Sequence, residues 1–277
     1  MYKVLLRQDL APRIHLFKVE APKIARKAQA GQFIIVRVDE KGERIPLTIA
    51  DWDRAEGSVT VVFNEVGRTT GKLAALKDGD FITNFVGPLG LPAHIDKFGT
   101  VVCVVGGYSV ATIVPVIRAL KEAENRVISI MRSPTKDTLF GEERLESLCD
   151  RLVVVTGDIA FEYDSFIIEP LKDVLENEKV NRVMTVGPTC VMKLVAATTK
   201  PFGVDTVASL NPIMVDGTGM CGCCRVNIGD TTKFACVDGP EFDAHQVDWV
   251  ALMARRCTYS IDIESKLQYQ CRNCAQW

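Results

Sequence analysis

Short apolar stretches alternate with Gly, Pro and Asp positions throughout the first 97 residues. Such alternation of apolar and polar side chains is typical of strands that bury one face. The pattern predicts strands at residues 3–7, 14–19, 32–38, 45–50, 58–63 and 81–84, with turns at Gly31, Gly42, Gly57, Gly79 and Gly87–Pro88. Many short strands at this spacing indicate a small antiparallel barrel.

A different pattern begins at residue 100, where apolar strands alternate with helical segments. The predicted strands are residues 101–105, 127–131, 152–156 and 183–186, and the predicted helices are residues 114–123, 142–147, 167–175 and 192–198. Strands without polar alternation are buried on both faces, as in parallel sheets covered by helices. We therefore expect an all-β barrel, then an α/β domain, then an irregular Gly- and Cys-rich region whose tail, residues 247–267, is partly helical.

One uncharged stretch, residues 98–117, is long enough to cross a bilayer. Gly106, Gly107 and Pro115 interrupt it, and residues 100–105 are β-branched except for Cys103. A buried strand, a glycine turn and the start of a helix explain this stretch better than a membrane span does.

The composition is that of an ordinary soluble globular protein. The chain has 277 residues, of which 47% are apolar and 25% charged, and its formal net charge is −2. This charge offers no general attraction to nucleic acid or to anionic membranes, so neither is an expected partner. The N-terminus alternates like a strand and lacks the apolar core of an export signal, which indicates a cytoplasmic protein.

Cysteines are concentrated near the C-terminus. Seven of the ten lie between Cys221 and Cys274. Without an export signal, so many cysteines favour thiolate chemistry in a reducing compartment over a disulfide framework. Metal ligands are therefore expected in the C-terminal region.

The segment from Asp216 to Cys236 carries the most specific motif. Plant-type [2Fe–2S] proteins use the spacing C-x4-C-x2-C with a distant fourth cysteine. Asp216, Cys221 and Cys224 have that spacing, with Asp in the first position, and a short hairpin can return Cys236 to them. The tight loop needs glycines so that backbone amides can point at the sulfurs. These glycines are Gly217, Gly219 and Gly222.

Other interpretations of this segment stay open. Four thiolates can bind zinc, although zinc knuckles usually present two C-x2-C pairs, which the segment lacks. The cysteines can also be structural thiols without a metal. Asp216 can serve only as the first residue of a D-G-T-G turn, and Cys223 is then the candidate for the fourth ligand.

Two motifs in the barrel region suit a bound dinucleotide. Arg44 lies on the strand motif R-I-P-L-T-I-A, where a guanidinium can hold a pyrophosphate by paired hydrogen bonds. Gly67, Thr69 and Thr70 form a turn that opens a helix and offers amides and hydroxyls to the same phosphates. Each motif alone is weak, since Arg44 is more often a surface ion pair and Gly67 only a turn. Together and in this order they indicate a dinucleotide site.

These motifs together resemble those of the ferredoxin–NADP reductase superfamily. The similar stretches are ERIPLTIAD, GPLG at residues 87–90, SLNPIMVDGTGMCG from Ser209 and FACVDGPEFD from Phe234. Within the superfamily, the chain is similar to the small subunits of NADH-dependent reduced ferredoxin:NADP oxidoreductases and to dihydroorotate dehydrogenase electron-transfer subunits. The resemblance covers nearly the whole chain.

The resemblance implies a domain organisation and a set of sites. It implies an FAD-binding β-barrel at residues 1–97, an NAD(P)-binding-like α/β domain at 98–208, and a [2Fe–2S] segment with a tail at 209–277. It favours Asp216 over Cys223 as the cluster ligand that accompanies Cys221, Cys224 and Cys236. Hydride would reach the flavin near Thr48. The implied FAD-binding residues are Arg44, Pro46, Leu47, Thr48, Ile49, Ala50, Gly67, Thr69 and Thr70.

The nucleotide-binding turn departs from the family pattern. Relatives carry G-G-G-x-G-x-A-P after the first strand of this domain, whereas here Val105 replaces the first glycine, Ser109 the fourth and Thr112 the proline. Glycines let a pyrophosphate approach the backbone, so Ser109 and the bulky Tyr108 obstruct that approach. The remaining residues of a vestigial NAD(P) site are Gly106, Gly107, Gly187 and Pro188.

Two further loops, residues 131–134 and 157–163, also differ from their counterparts at the ribose and the nicotinamide. We expect a pocket that is weakened, re-specified or lost, and if it is lost, Tyr108 and Phe161 pack in the vacated cleft. The C-terminal Cys257, Cys271 and Cys274 form either a further metal site or a tail of exposed thiols.

Three functions compete on this sequence. The first is an electron-transfer subunit of a flavin-based complex, with electron bifurcation as one option. In this complex FAD and the cluster relay electrons to or from a larger flavoprotein or iron–sulfur subunit. A ferredoxin is a further candidate partner. The second is an NAD(P)H-oxidising subunit, and a dihydroorotate dehydrogenase electron-transfer subunit is a related alternative. The third is a docking module without catalysis, against which the intact FAD and cluster motifs argue.

Overall fold

The structure is a computed structural model that describes residues 1–133, 137, 139–156 and 163–257, with the backbone alone described for residues 163–166 and Cys257. Several features of the sequence analysis lie outside the described residues: Pro134, the loop that contains Phe161, the part of the predicted tail after Cys257, and the cysteines Cys271 and Cys274.

The N-terminal region folds into the antiparallel barrel that the strand pattern predicts. Its elements are β1 (Tyr2–Ala11), β2 (Ile14–Glu20), α1 (Pro22–Ala25), β3 (Phe33–Arg37), β4 (Ile45–Asp53), β5 (Ser58–Asn64), α2 (Arg68–Ala74), β6 (Phe81–Ile82) and β7 (Asn84–Leu89). The strands follow the order β6-β1-β2-β5-β4-β3-β7. Because β6 and β7 are consecutive in the chain, the two edges of the sheet meet and the barrel is nearly closed. Phe17, Ile34, Ile49 and Phe85 fill its core.

One predicted turn is instead part of a strand. Gly87 and Pro88 lie inside β7, which pairs with β3. A Cβ on Gly87 would come within 2.5 Å of Ile34 Cγ2 on β3, so this glycine permits close strand packing. Pro88 is tolerated because β7 lies at the edge of the strand order, where one side needs no ladder hydrogen bond.

The second region is the expected parallel α/β domain. Its elements are β8 (Thr100–Gly106), α3 (Val110–Glu122), β9 (Arg126–Ser133), α4 (Glu142–Glu146), β10 (Arg151–Thr156), α5 (Tyr163–Asn177), β11 (Arg182–Val186), α6 (Thr189–Thr199) and β12 (Asp205–Ser209). Short 3-10 helices occupy Gly107–Ser109 and Lys200–Phe202. Helices pack on both sheet faces, which explains why β8 is apolar along its length.

The uncharged stretch of residues 98–117 is the predicted strand, turn and helix start, formed by β8, the first 3-10 helix and α3. Within the described ranges, none of the helices combines the length and the apolar character that crossing a bilayer requires.

The C-terminal region is interwoven with the α/β domain. It contributes β13 (Arg225–Ile228), β14 (Thr231–Phe234), β15 (Glu241–Asp243) and α7 (Trp249–Cys257). The sheet order is β10-β9-β8-β11-β12-β15, in which β15 alone is antiparallel. The sequence pattern missed both β12 and β15, because neither short strand has a long apolar period. The domain boundaries at residues 97 and 208 stay predictions.

A branched ion pair joins the barrel to the α/β domain. Asp51 of β4 accepts hydrogen bonds from Arg118 Nη2 of α3 at 2.9 Å and from Arg144 Nη2 of α4 at 2.5 Å. The Arg118 guanidinium also lies over the Trp52 ring, 5.5 Å from its centroid. Burial opposes ionisation of Asp51, but the two arginines outweigh it and lower its pKa.

Replacement of Asp51 should loosen this junction. We expect Asp51→Asn to lower the free energy of unfolding by about 1–3 kcal/mol at pH 7, because two guanidinium groups lose a half-buried charged acceptor. Since the folded-state pKa lies below the ordinary value of 3.8, the contribution is fully present above that value and is lost as the pH falls through the lowered pKa. Urea unfolding at a series of pH values measures this difference.

The exposed Lys97–Glu124 pair, with Nζ and Oε2 2.6 Å apart, supplies the control. Lys97→Gln should change the unfolding free energy by less than about 1 kcal/mol. An equal loss in both variants would show that Asp51 has no special role.

Candidate functional site

A hairpin brings the last two predicted cluster ligands together. β13 and β14 pair with Arg225 opposite Phe234, so the residues just outside the hairpin, Cys224 and Cys236, meet. Their sulfurs are 3.2 Å apart, too far for a disulfide. The Ala235 amide donates to the Cys224 carbonyl at 3.1 Å and fixes this arrangement.

The first two predicted ligands form a second pair. The Cys221 thiol donates to Asp216 Oδ1 at 2.9 Å. The other carboxylate oxygen, Oδ2, accepts from the Thr218 hydroxyl at 2.9 Å and from the Met220 amide at 3.0 Å. These bonds, led by that of Cys221, hold the pKa of Asp216 far below its ordinary value. The carboxylate is therefore ionised and faces the thiol.

The four candidate ligands thus form two pairs. Within the described part of the chain, no three His, Cys, Asp or Glu side chains converge closely enough to hold one metal ion. A [2Fe–2S] rhomb has two irons, each of which takes two protein ligands, so a pair for each iron fits it. A tetrahedral zinc needs four donors about one point. The donor set favours the cluster over zinc.

The two pairs differ in their surroundings. Cys224 and Cys236 are buried, whereas Cys221 is exposed. Burial, followed by the hydrogen bond with Cys224, raises the pKa of Cys236 to about 12. Without iron this side chain is a neutral thiol, and metal binding must displace its proton. The Gly219 amide donates to Cys236 Sγ at 3.1 Å, which is the backbone contact to sulfur that the glycine pattern predicts.

Two loop glycines are required by close packing. Gly217 has φ +76°, and a Cβ there would lie 2.8 Å from Ile35 Cγ1 on β3. Gly219 has φ +83°, and its Cβ would lie 3.1 Å from Val237 Cγ2. The cluster loop therefore rests against the barrel, in an apolar group that contains Phe33, Ile35, Met214, Cys224, Ala235 and Cys236.

The two FAD motifs meet at the start of α2. The Thr69 hydroxyl donates to Glu43 Oε2 at 2.9 Å, which places the α2 turn beside the residue before Arg44. Arg44 is exposed, and it has no hydrogen-bond or ion-pair partner among the described residues. A Cβ on Gly67 would meet no atom within 4 Å. An unpaired guanidinium beside an open turn fits a phosphate group.

The Thr69 and Thr70 hydroxyls already have hydrogen-bond partners around the α2 turn. Thr70 Oγ1 accepts from the Gly67 amide at 2.9 Å and donates to the Gly67 carbonyl at 3.0 Å. The first amides of a helix lack intrahelical partners, so they stay available to a phosphate. The hydroxyls shape the turn.

Along β4, the predicted flavin-contacting residues differ in exposure. Pro46, Leu47 and Thr48 are half-buried, whereas the side chains of Ile49 and Ala50 are buried in the protein core. Ile49 and Ala50 can therefore offer a ligand only their backbone.

Thr48 lies opposite a residue of the cluster environment. It pairs with Phe33 on β3, and Phe33 packs in the apolar group of Cys224 and Cys236. Residues directly opposite each other in antiparallel strands have adjacent side chains. Phe33 is thus a neighbour both of Thr48 and of the apolar group that contains the buried thiols.

Three residues of the vestigial nucleotide site contact one another. A Cβ on Gly106 would lie 2.8 Å from Pro188 Cδ, and a Cβ on Gly187 would lie 3.1 Å from Gly106 Cα. Gly106, Gly187 and Pro188 therefore allow the ends of β8 and β11 to pack closely. Gly107, with φ +61°, faces open space and does not join this contact.

Tyr108 is 41% exposed, which does not fit the packing role that a lost pocket would give it. Ser109 is buried, and its backbone carbonyl accepts from the Thr112 hydroxyl at 2.7 Å, so the Thr112 side chain stabilises the start of α3.

Two arginines of α7 with tertiary contacts near the candidate sites were not predicted from the sequence. Arg255 Nη2 donates to the Cys223 carbonyl in the cluster loop at 3.0 Å. Arg256 Nη1 donates to the Thr189 hydroxyl and, at 3.0 Å, to Asn211 Oδ1. The only local signal was the Arg-Arg pair itself, since its partners are remote in sequence.

Comparisons with known proteins agree with this arrangement. A family model described as the iron–sulfur cluster binding domain of dihydroorotate dehydrogenase B matches residues 211–248. A Thermotoga maritima protein named dihydroorotate dehydrogenase B (NAD(+)), electron transfer subunit homolog, is 39% identical over 97% of this chain and 94% of the relative.

Solved structures show the same likeness. One chain of the NADH-dependent reduced ferredoxin-NADP oxidoreductase, from work on flavin-based electron bifurcation, is 39% identical with a TM-score of 0.88, covering 96% of this chain and 95% of that one. A Neisseria gonorrhoeae ferredoxin NADP+ reductase with bound FAD and NADP is 20% identical with a TM-score of 0.58, covering 73% and 90%, and shows the fold alone. With identity extending over nearly the whole of both chains, this protein belongs to the family of dihydroorotate dehydrogenase B electron-transfer subunits and their homologues, and it has a ferredoxin–NADP reductase-like fold.

Proposed function

We propose that the chain is the FAD- and [2Fe–2S]-containing electron-transfer subunit of a multi-subunit oxidoreductase. The observation that carries this proposal is the pairing of the four candidate ligands, with Cys224 Sγ and Cys236 Sγ 3.2 Å apart and Cys221 Sγ 2.9 Å from Asp216 Oδ1. In this proposal Asp216 and Cys221 hold one iron, and Cys224 and Cys236 hold the other.

In the barrel, Arg44 and the amides at the start of α2 would hold the FAD pyrophosphate. Pro46, Leu47 and Thr48 would lie along the flavin, and Ile49 and Ala50 would contribute backbone groups. Gly67 would leave room for the phosphates, while Thr69 and Thr70 shape the turn. Bound flavin and cluster together would supply the step between two-electron and one-electron carriers.

The protein itself would hold the flavin and the cluster close together and exclude water from the space between them. Phe33 is 4% exposed and Ile35 is 3% exposed, and both pack against the buried cysteine pair. They exclude water between Thr48 and the inner thiols. A low-dielectric, rigid separation of this kind avoids solvent reorganisation around a moving charge.

A larger flavoprotein or iron–sulfur subunit is the proposed partner, with a ferredoxin as a further candidate. The relatives named above are an electron-transfer subunit and a chain of a reductase complex. The exposed Asp216–Cys221 side of the loop, next to Met220 with 83% exposure, is the side on which a partner can approach. Free thiols at every described cysteine are consistent with a cytoplasmic location.

Oxidation of NAD(P)H is the second candidate function. The close packing of Gly106, Gly187 and Pro188 keeps the family shape at the ends of β8 and β11, where parallel sheets bind ligands. In this case hydride would pass to the flavin beside Thr48.

Replacement of Asp216 tests the fourth ligand. We expect wild type to contain about two iron atoms per chain. Asp216→Ala should lose most of its iron and sulfide because one iron lacks a protein ligand, whereas Asp216→Cys should keep both because a thiolate replaces the carboxylate. Iron and sulfide analysis measures the content, and EPR of the reduced Asp216→Cys protein should give altered g values.

Cys223→Ser is the matched control in the same loop. It should retain wild-type iron content and EPR signal. The ligand assignment is wrong if Cys223→Ser loses iron while Asp216→Ala retains it.

Replacement of Arg44 tests the flavin site. We expect Arg44→Gln to bind FAD about tenfold to a hundredfold more weakly, because a charged hydrogen bond to phosphate is lost. Titration of the deflavinated chain with FAD, followed by flavin fluorescence, gives the dissociation constant. Arg26→Gln, at an exposed arginine outside both motifs, should bind like wild type. Equal affinities in the two variants would remove Arg44 from the site.

A further inference from the structure

Helix α7 carries Arg256 to the nucleotide edge of the α/β sheet. Trp249 and Leu252 of this helix pack beside α6 and β12. At its last turn, Arg256 reaches Thr189, the first residue of α6, and Asn211, which follows β12. Asn211 in turn donates to the Gly187 carbonyl at 3.2 Å. Arg256 is thereby held at the carboxyl ends of β11 and β12.

The charge of Arg256 is not neutralised by these contacts. Both partners are neutral oxygen atoms, one a hydroxyl and one an amide. Among the residues whose side chains are described (1–133, 137, 139–156 and 167–256), no carboxylate forms an ion pair with this side chain, which is exposed. A guanidinium carries five N–H donors, and these contacts use a single nitrogen. Arg256 is a fixed, exposed cation with donors to spare.

Arg256 lies near the turn after β8, which lacks part of the glycine-rich phosphate-binding pattern. The turn after β8 has Tyr108 and Ser109 where relatives have residues of a glycine-rich pattern, and Ser109 is buried at the start of α3. Side chains at these two positions leave a pyrophosphate less room beside the backbone than glycines would. Arg256 also lies within electrostatic range of the Tyr108 phenol.

We propose that Arg256 recognises a phosphate of a nicotinamide dinucleotide and replaces the contacts that the altered turn no longer makes. The pocket is then re-specified, and its anion contact comes from the C-terminal helix. This proposal rests on the second candidate function, the use of a nicotinamide nucleotide, and is independent of the FAD and cluster assignments.

The neighbouring residue provides a matched control. Arg255 has the same charge and lies in the same turn of α7, but it donates to the Cys223 carbonyl in the cluster loop. Loss of either arginine removes one positive charge and the tertiary hydrogen bonds of that side chain, one for Arg255 and two for Arg256. Only the loss of Arg256 should remove a phosphate contact.

The experiment is calorimetric titration of the full chain, loaded with FAD and iron, with NADH, NADPH and nicotinamide. We expect Arg256→Gln to bind the dinucleotides about tenfold to a hundredfold more weakly than wild type. Arg255→Gln should bind them within about twofold of wild type, and Arg256→Lys should recover part of the affinity because it restores the charge. Nicotinamide, which has no phosphate, should bind all variants equally.

The two dinucleotides distinguish the phosphates. Weakening of both NADH and NADPH by Arg256→Gln assigns the contact to the pyrophosphate that they share, and weakening of NADPH alone assigns it to the 2′-phosphate. Unchanged affinity in Arg256→Gln, an equal loss in Arg255→Gln, or no binding to wild type overturns the proposal. The electron-transfer proposal fails separately, if the purified chain contains neither flavin nor iron.

Discussion

Pairing of β3 with β4 places Phe33 opposite Thr48, and the proposed relay depends on this register. Thr48 faces the position of the proposed flavin, while Phe33 packs on the thiols of Cys224 and Cys236. A shift of one residue would turn Phe33 to the other face of the sheet and separate the two sites. Core residues such as Ile34 and Ile49, buried in the barrel, oppose that shift.

The cluster loop combines two environments in one short segment. The buried pair lies in an apolar group supported by the barrel, whereas the Asp216–Cys221 pair lies at the surface with its carboxylate held by loop donors. An inner iron would thus be protected from water and an outer iron would be open to a partner. Such an asymmetry suits a carrier that receives electrons on one side and delivers them on the other.

The α/β domain has the expected parallel sheet, whereas the turn after β8 departs from the glycine-rich pattern. Gly106, Gly187 and Pro188 are required by the packing of β8 against β11, so their presence alone does not establish a nucleotide site. Helix α7 adds two arginines, one at the cluster loop and one at the carboxyl ends of β11 and β12. The same helix therefore contacts both the cluster loop and the carboxyl ends of β11 and β12.

Local patterns in the sequence determined the two fold classes and the cluster motif. Alternation predicted the barrel, apolar runs predicted the parallel sheet, and the spacing of Asp216, Cys221 and Cys224 indicated the cluster, because each depends on residues close together in the chain. Only the tertiary structure decided that Gly87 lies in a strand, that β15 joins the α/β sheet and that Arg256 reaches Asn211. These features depend on surfaces that meet only after folding, and contacts between residues remote in sequence leave no periodic signal along the chain.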